Sequence, residues 1–84
     1  MNGSKTIISI KEYGRIELRL NEILEQRGIK RYYLAKATNA RFEVIDKWCK
    51  NNVEKLDLDV LARICYALDC TPSDIIKHIG NDEE

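Results

Sequence analysis

Apolar residues recur along this chain with two different periods, and the change of period divides it. Over residues 5–19 the period is two. Lys5-Thr6-Ile7-Ile8-Ser9-Ile10 is rich in β-branched residues, and Arg15-Ile16-Glu17-Leu18-Arg19 alternates strictly between polar and apolar. Lys11-Glu12-Tyr13-Gly14 lies between them as a turn with glycine at its end. The pattern predicts a β-hairpin, with a frayed arm as the alternative. A lone hairpin is marginal in water, so it has to pack on the rest of the chain or on a second chain.

From Leu20 onward the period becomes helical. Leu20, Ile23, Leu24 and Arg27 share one face of a first helix, which opens acidic at Glu22, closes basic at Arg27 and stops at Gly28. A short second helix is predicted over 31–37 with Leu34 and Ala35 inward, then a turn at Thr38-Asn39-Ala40, then a third helix over 41–50. With Ile45 set inward, steps of 100° gather Arg41, Val44 and Trp48 near it and send Glu43, Asp46, Lys47 and Lys50 to the opposite face. Asn51-Asn52 closes this helix. A fourth helix over 58–68 carries Leu58, Leu61, Cys65 and Leu68 on one stripe, widened by Val60, Ile64 and Ala67, with Asp57 as its N-cap. Thr71-Pro72-Ser73-Asp74 starts a fifth helix expected to run from Pro72 to about residue 79 and to bury Ile75, Ile76 and Ile79. The expected core is Leu20, Leu24, Leu34, Ile45, Leu61, Ile64, Cys65, Leu68, Ile75 and Ile76. The organisation is thus an N-terminal β element over 1–19, a helical domain over 20–79 and a frayed acidic tail over 80–84.

The spacing of the second and third helices has a specific physical reading. Two short helices joined by three turn residues cross steeply, so a small residue must face the contact, and Ala35 is placed for that. The turn needs one residue with positive φ, and Asn39 is the best substitute for glycine. Ile45 then plugs the core from the third helix. The unit fits a helix-turn-helix.

Composition adds exclusions. The chain has 84 residues, 44% hydrophobic and 33% charged, which fits one small folded domain and no wholesale disorder. It contains no run of 18 apolar residues, and the first five residues lack the apolar stretch of a secretory signal. A soluble cytoplasmic protein is expected, with no membrane association. The three cysteines, Cys49, Cys65 and Cys70, form no Cys-x-x-Cys pair, and Cys65 falls on an apolar helix face. They read as small hydrophobes rather than as zinc ligands with His78. No glycine-rich phosphate loop exists, and His78, the single histidine, has no nucleophile set beside it. No enzyme, cofactor, metal or small-molecule substrate is expected.

Net charge is zero, yet the charge is segregated. Residues 27–50 hold seven basic against two acidic side chains, a net of +5, while residues 54–84 hold three against eight, a net of −5. Such a chain presents a basic face on a neutral molecule.

Leu34-Ala35-x-x-Thr38-Asn39-Ala40-x-x-x-x-Ile45 resembles the helix-turn-helix of Cro and phage-repressor-like (Xre-type) transcriptional regulators. The run Leu58-x-x-Leu61-x-x-Ile64-Cys65-x-Ala67-Leu68, followed by Thr71-Pro72-Ser73-Asp74-Ile75-Ile76, resembles that family's fourth and fifth helices. The resemblance spans residues 19–79. It implies an all-α, five-helix lambda-repressor-like domain, here with a short N-terminal β element, that binds double-stranded DNA sequence-specifically as a small regulator. The third helix would lie in the major groove with its N-terminal residues at base edges. Arg41 would donate twice to guanine, Glu43 would accept from cytosine, and Phe42 would touch a thymine methyl. Lys47 would reach a base or a phosphate, Arg31 would hold a phosphate at the start of the second helix, and Lys36 and Lys50 would add nonspecific attraction. Tyr32 and Tyr33 would either line the DNA-facing rim or cover the core.

The chain departs from the family pattern at Arg31, where glutamine is common, at Arg41-Phe42-Glu43, where small polar residues are common, and at Asp46, which adds an outward carboxylate. These departures leave a second reading, a protein-interaction module of adaptor or antitoxin-like type on the same fold. A homodimer through residues 5–19 is also expected. Paired half-sites call for two copies, and Ile7, Ile8, Ile10, Ile16 and Leu18 exceed what one hairpin can bury.

Overall fold

The computed structural model describes residues 13–80. The elements run β1 (Arg15–Leu18), α1 (Leu20–Arg27), α2 (Arg31–Thr38), α3 (Phe42–Cys49), α4 (Leu58–Leu68), α5 (Pro72–Ile75) and β2 (Ile76–Ile79). Local chemistry explains most of these bounds. Gly28 follows α1 at φ 68°, and Asn39 follows α2 at φ 56°, the positive angle the turn demands. Asn51 and Asp69 take φ 60° and 53° beyond α3 and α4. The Asp57 carboxylate caps α4 by accepting the Asp59 and Val60 backbone N–H groups at 2.9 and 3.3 Å. Thr71 leads into α5, its N–H donating to the Asp74 carboxylate at 2.8 Å, with Pro72 in the first helical position.

Among the described residues, twelve side chains form one core. Leu18 enters it from β1, Leu20 and Leu24 from α1, Leu34 and Ala35 from α2, Ile45, Trp48 and Cys49 from α3, Leu61, Ile64 and Leu68 from α4, and Ile75 from α5. Cys65 and Ile76, expected inside, are half-buried against it. Two members of the expected α4 stripe are solvent-exposed instead. Leu58 is 73% exposed, and Ala67 also faces water. On a helix of 100° per residue each lies about 90° from the direction shared by Leu61, Ile64 and Leu68, so each sits at a flank of the stripe.

The C-terminus corrects the expectation of a fifth helix reaching residue 79. α5 is a single turn that ends at Ile75, and Ile76 is already extended at φ −110°, ψ 127°. β2 pairs antiparallel with β1 in the register Arg15↔Ile79, Ile16↔His78, Glu17↔Lys77 and Leu18↔Ile76. The spacing Ile75-Ile76-Ile79 suits a helix stripe, but β1 offers a ladder of backbone partners that a second helical turn would forgo. Gly14 closes the end of this sheet with φ 72°. A β-carbon there would lie 2.0 Å from the Ile79 carbonyl oxygen, so only glycine fits. The N-terminal β element therefore exists, with β2 as its strand partner among the described residues. The first strand expected for the hairpin, residues 5–10, lies outside them. Leu18 is buried in the domain's own core and Ile16 is 54% exposed, so of the apolar surplus expected to join two copies, Leu18 is spent within the chain.

Candidate nucleic-acid interface

α2 and α3 pack on each other across the turn, and the turn is held from three sides. Ala35 is 4% exposed at the crossing. The buried Thr38 hydroxyl donates back to the carbonyls of Leu34 and Ala35 at 2.8 and 3.2 Å. From α4, the Arg63 guanidinium donates to the carbonyls of Thr38 and Asn39 at 3.2 and 3.3 Å, while Asp59 holds the same guanidinium at 2.8 Å. Sequence reasoning missed this role of Arg63. The Asp59–Arg63 spacing of four residues was visible, but the approach of α4 to the turn was not. Asn51 was missed in the same way. Its side-chain oxygen accepts the Leu18 N–H at 2.9 Å and so ties the end of α3 to β1.

This framework turns one side of α3 inward and leaves the other open. Ile45, Trp48 and Cys49 are buried, and Val44 is half-buried. Arg41, Glu43 and Lys47 are exposed, and Phe42 is 47% exposed. Arg41, which the helical wheel gathered near Ile45, is instead the N-cap residue, with extended backbone at ψ 147°. It precedes the first helical residue, so the wheel does not extend to it. On α2, Tyr32, Tyr33 and Lys36 face solvent. The two tyrosine rings meet edge to face at 5.7 Å, and the Lys36 ammonium sits 5.5 Å from the Tyr32 ring centre.

Arg31 and Lys50 are placed differently from those residues. The Arg31 guanidinium donates to the Asp46 carboxylate at 2.6 Å and to the Asn21 side-chain oxygen at 3.0 Å. The other Asp46 oxygen takes the Lys50 ammonium at 2.9 Å. One carboxylate thus engages two of the cations expected to meet phosphate, and it links α2 to α3 while Arg31 reaches α1. Hydrogen bonds from Lys50 and then from Arg31 hold the Asp46 carboxyl below the ordinary aspartate range. The Thr71 backbone N–H does the same for Asp74.

A carboxyl depressed in the folded state binds its proton more readily when unfolded. Its contribution is therefore complete above the unfolded pKa of about 3.9 and is lost as pH falls through the folded value. Thermal melts are expected to show no effect of these two groups between about pH 8 and pH 5, and a falling midpoint below about pH 4. A midpoint that rises on acidification below pH 4 would contradict the Asp46 and Asp74 contacts. The cysteines pack as small hydrophobes: Cys49 is buried, Cys65 and Cys70 are half-buried, and burial pushes the thiols of Cys49 and Cys70 up. Among the described residues no helix is long and apolar enough to cross a membrane.

Five helices among the described residues, a crossing at Ala35, a left-handed asparagine in the turn and an open third-helix face define a helix-turn-helix domain of the DNA-binding class. The chain belongs to the Cro/C1-type HTH DNA-binding domain family, whose profile matches residues 19–81. This is a family of DNA-binding domains rather than of enzymes. Two solved structures are similar. One is described as a DNA-binding protein from Bacteroides fragilis, at 22% identity and a TM-score of 0.65, covering 75% of this chain and all of that one. The other is the transcriptional regulator VanUg, at 25% identity and a TM-score of 0.63, covering 92% of this chain and 99% of that one. Among curated proteins none matches.

Proposed function

We propose that this domain reads double-stranded DNA sequence-specifically, as a small cytoplasmic transcriptional regulator with α3 in the major groove. The observation that carries the reading is the open face of α3. Arg41, Glu43 and Lys47 are exposed and have no side-chain partner among the described residues, on a helix whose opposite face is fixed by Ile45, Trp48 and Cys49. A reading helix needs both properties, since a side chain can report a base only if its backbone does not move.

Arg41 stands where the helix begins, in the position that meets base edges in this docking geometry. Its planar fork suits the two acceptors of guanine. Glu43 suits the cytosine amino group, and the Phe42 ring suits a thymine methyl. Lys30, Lys36, Arg41 and Lys47 supply the cations for phosphate and groove, and Tyr32 and Tyr33 flank them on α2. One such unit covers half of a palindromic site, so the regulator acts as a pair of chains joined through the 5–19 segment, in which Ile16 is solvent-exposed.

The experiment is a titration of random duplex DNA at several salt concentrations. About four phosphate contacts predict a log–log slope near −3 to −4. Absence of binding at low salt would overturn the DNA reading. It would favour the protein-interaction module, a reading supported by Asp46 and by the zero net charge of the chain.

A further inference from the structure

The Arg31–Asp46–Lys50 cluster is not needed to build the helix-turn-helix. The turn is already fixed by Ala35, Thr38, Asn39 and Arg63, and the α3 core contact by Ile45 and Trp48. The cluster lies at the edge of the α2–α3 face rather than in the core. The side chains of Arg31, Asp46 and Lys50 are 32%, 22% and 62% exposed. A partly exposed ion pair of this kind adds little to stability. Its geometry nonetheless commits both oxygens of one carboxylate to two cations, at 2.6 and 2.9 Å.

We infer that Asp46 is a specificity-determining residue that restrains binding to arbitrary DNA by holding Arg31 and Lys50 away from the phosphates. The inference rests on the DNA-reading function proposed above and deepens it. Phosphate contacts are blind to sequence, and each one adds about the same affinity on every duplex. Base contacts act only on the preferred site. A domain that frees every cation in its basic segment raises random binding along with specific binding and gains no discrimination. Two cations stand at the ends of the α2–α3 unit, Arg31 opening α2 and Lys50 just beyond α3. Asp46 cancels one of their two charges and orients both side chains, which leaves Arg41, Lys36 and Lys47 as the cations of the central face, where bases are read.

The test is the Asp46→Asn variant, which keeps the shape of the side chain and removes its charge. Circular dichroism melts establish that it is folded, and Asp46→Ser is the second variant, since neither change opens a core cavity. The probes are random duplex DNA and the site preferred by the wild-type protein, each titrated across salt. Release of two cations is expected to steepen the random-duplex slope by about 1.8 units and to raise random-duplex affinity at 0.1 M salt by about tenfold or more. The ratio of preferred-site to random affinity falls. Asp46→Glu, which retains the charge, keeps the wild-type slope. An unchanged slope in Asp46→Asn, or weaker binding to both probes, would overturn the inference and make Asp46 a residue that orients Arg31 toward a phosphate. Equal steepening in Asp46→Glu would overturn it as well. A wild-type protein that binds no duplex removes the proposed function itself, which is a separate result.

Discussion

Ile45→Ala is expected to lower the unfolding free energy by about 2–5 kcal/mol, the range for truncating a fully enclosed isoleucine or leucine. Ile45 has no measurable exposure and stands on α3 opposite the open face. It belongs to the shared core, and α3 packs against both α1 and α2, so the hole left behind cannot close by movement of one helix. A domain of 84 residues has a stability of about 4–12 kcal/mol in all. The substitution therefore removes a large share of the total, and urea unfolding measures it directly. A loss under about 1 kcal/mol would mean that α3 is not anchored by this residue. The expected effect on DNA binding is indirect and follows the folded fraction.

Arg41→Ala is expected to have the largest effect on recognition, costing about 1–3 kcal/mol on the preferred site and relaxing one base position. Its side chain has no ion pair or hydrogen bond among the described residues, and its backbone is extended at the N-cap of α3, where its carbonyl accepts from the Val44 and Ile45 N–H groups. Truncation thus leaves no buried partner behind and no cap contact broken, so stability is expected to stay within about 0.5 kcal/mol of the wild type. That separation distinguishes Arg41 from Ile45. One changes reading with the fold intact, and the other changes the fold. Fluorescence anisotropy on the preferred duplex, beside a random duplex, measures the first effect. Equal losses on both duplexes would mean that Arg41 meets only phosphate.

The helix-turn-helix was legible because its constraints are local. Ala35, Asn39 and Ile45 are fixed by steric demands that act within ten residues, and the structure places each as the spacing required. The caps at Asp57 and Thr71 were legible for the same reason. The C-terminal strand was not. Ile75, Ile76 and Ile79 satisfy a helical stripe, and the partner that makes 76–79 extended lies about sixty residues earlier in the chain. Periodicity carries no information about a pairing at that distance. Leu58 misled for a different reason, because leucine at the edge of a stripe reads as core until the neighbours that would cover it are known.

The candidate site divides along the same line. The outward placement of Glu43, Asp46, Lys47 and Lys50 followed from 100° steps. The Asp46–Lys50 pair was within reach of that reading as a spacing of four residues. The Asp46–Arg31 contact spans fifteen residues and two helices, and the crossing of α2 over α3 alone creates it. Arg31 consequently looked like a cation available to phosphate, and the structure shows it engaged by Asp46 and Asn21. The same blindness hid Arg63, whose carbonyl partners in the turn are contributed by a different helix.

The claim that α3 reads bases is tested most directly by selecting binding sites from a random duplex pool with the wild-type protein and with Arg41→Ala. The expected result is enrichment of a short motif containing a guanine, and loss of the preference at that one position in the variant while neighbouring positions persist. A pool that shows no enrichment with folded wild-type protein, or a motif that Arg41→Ala leaves unchanged at every position, would contradict it.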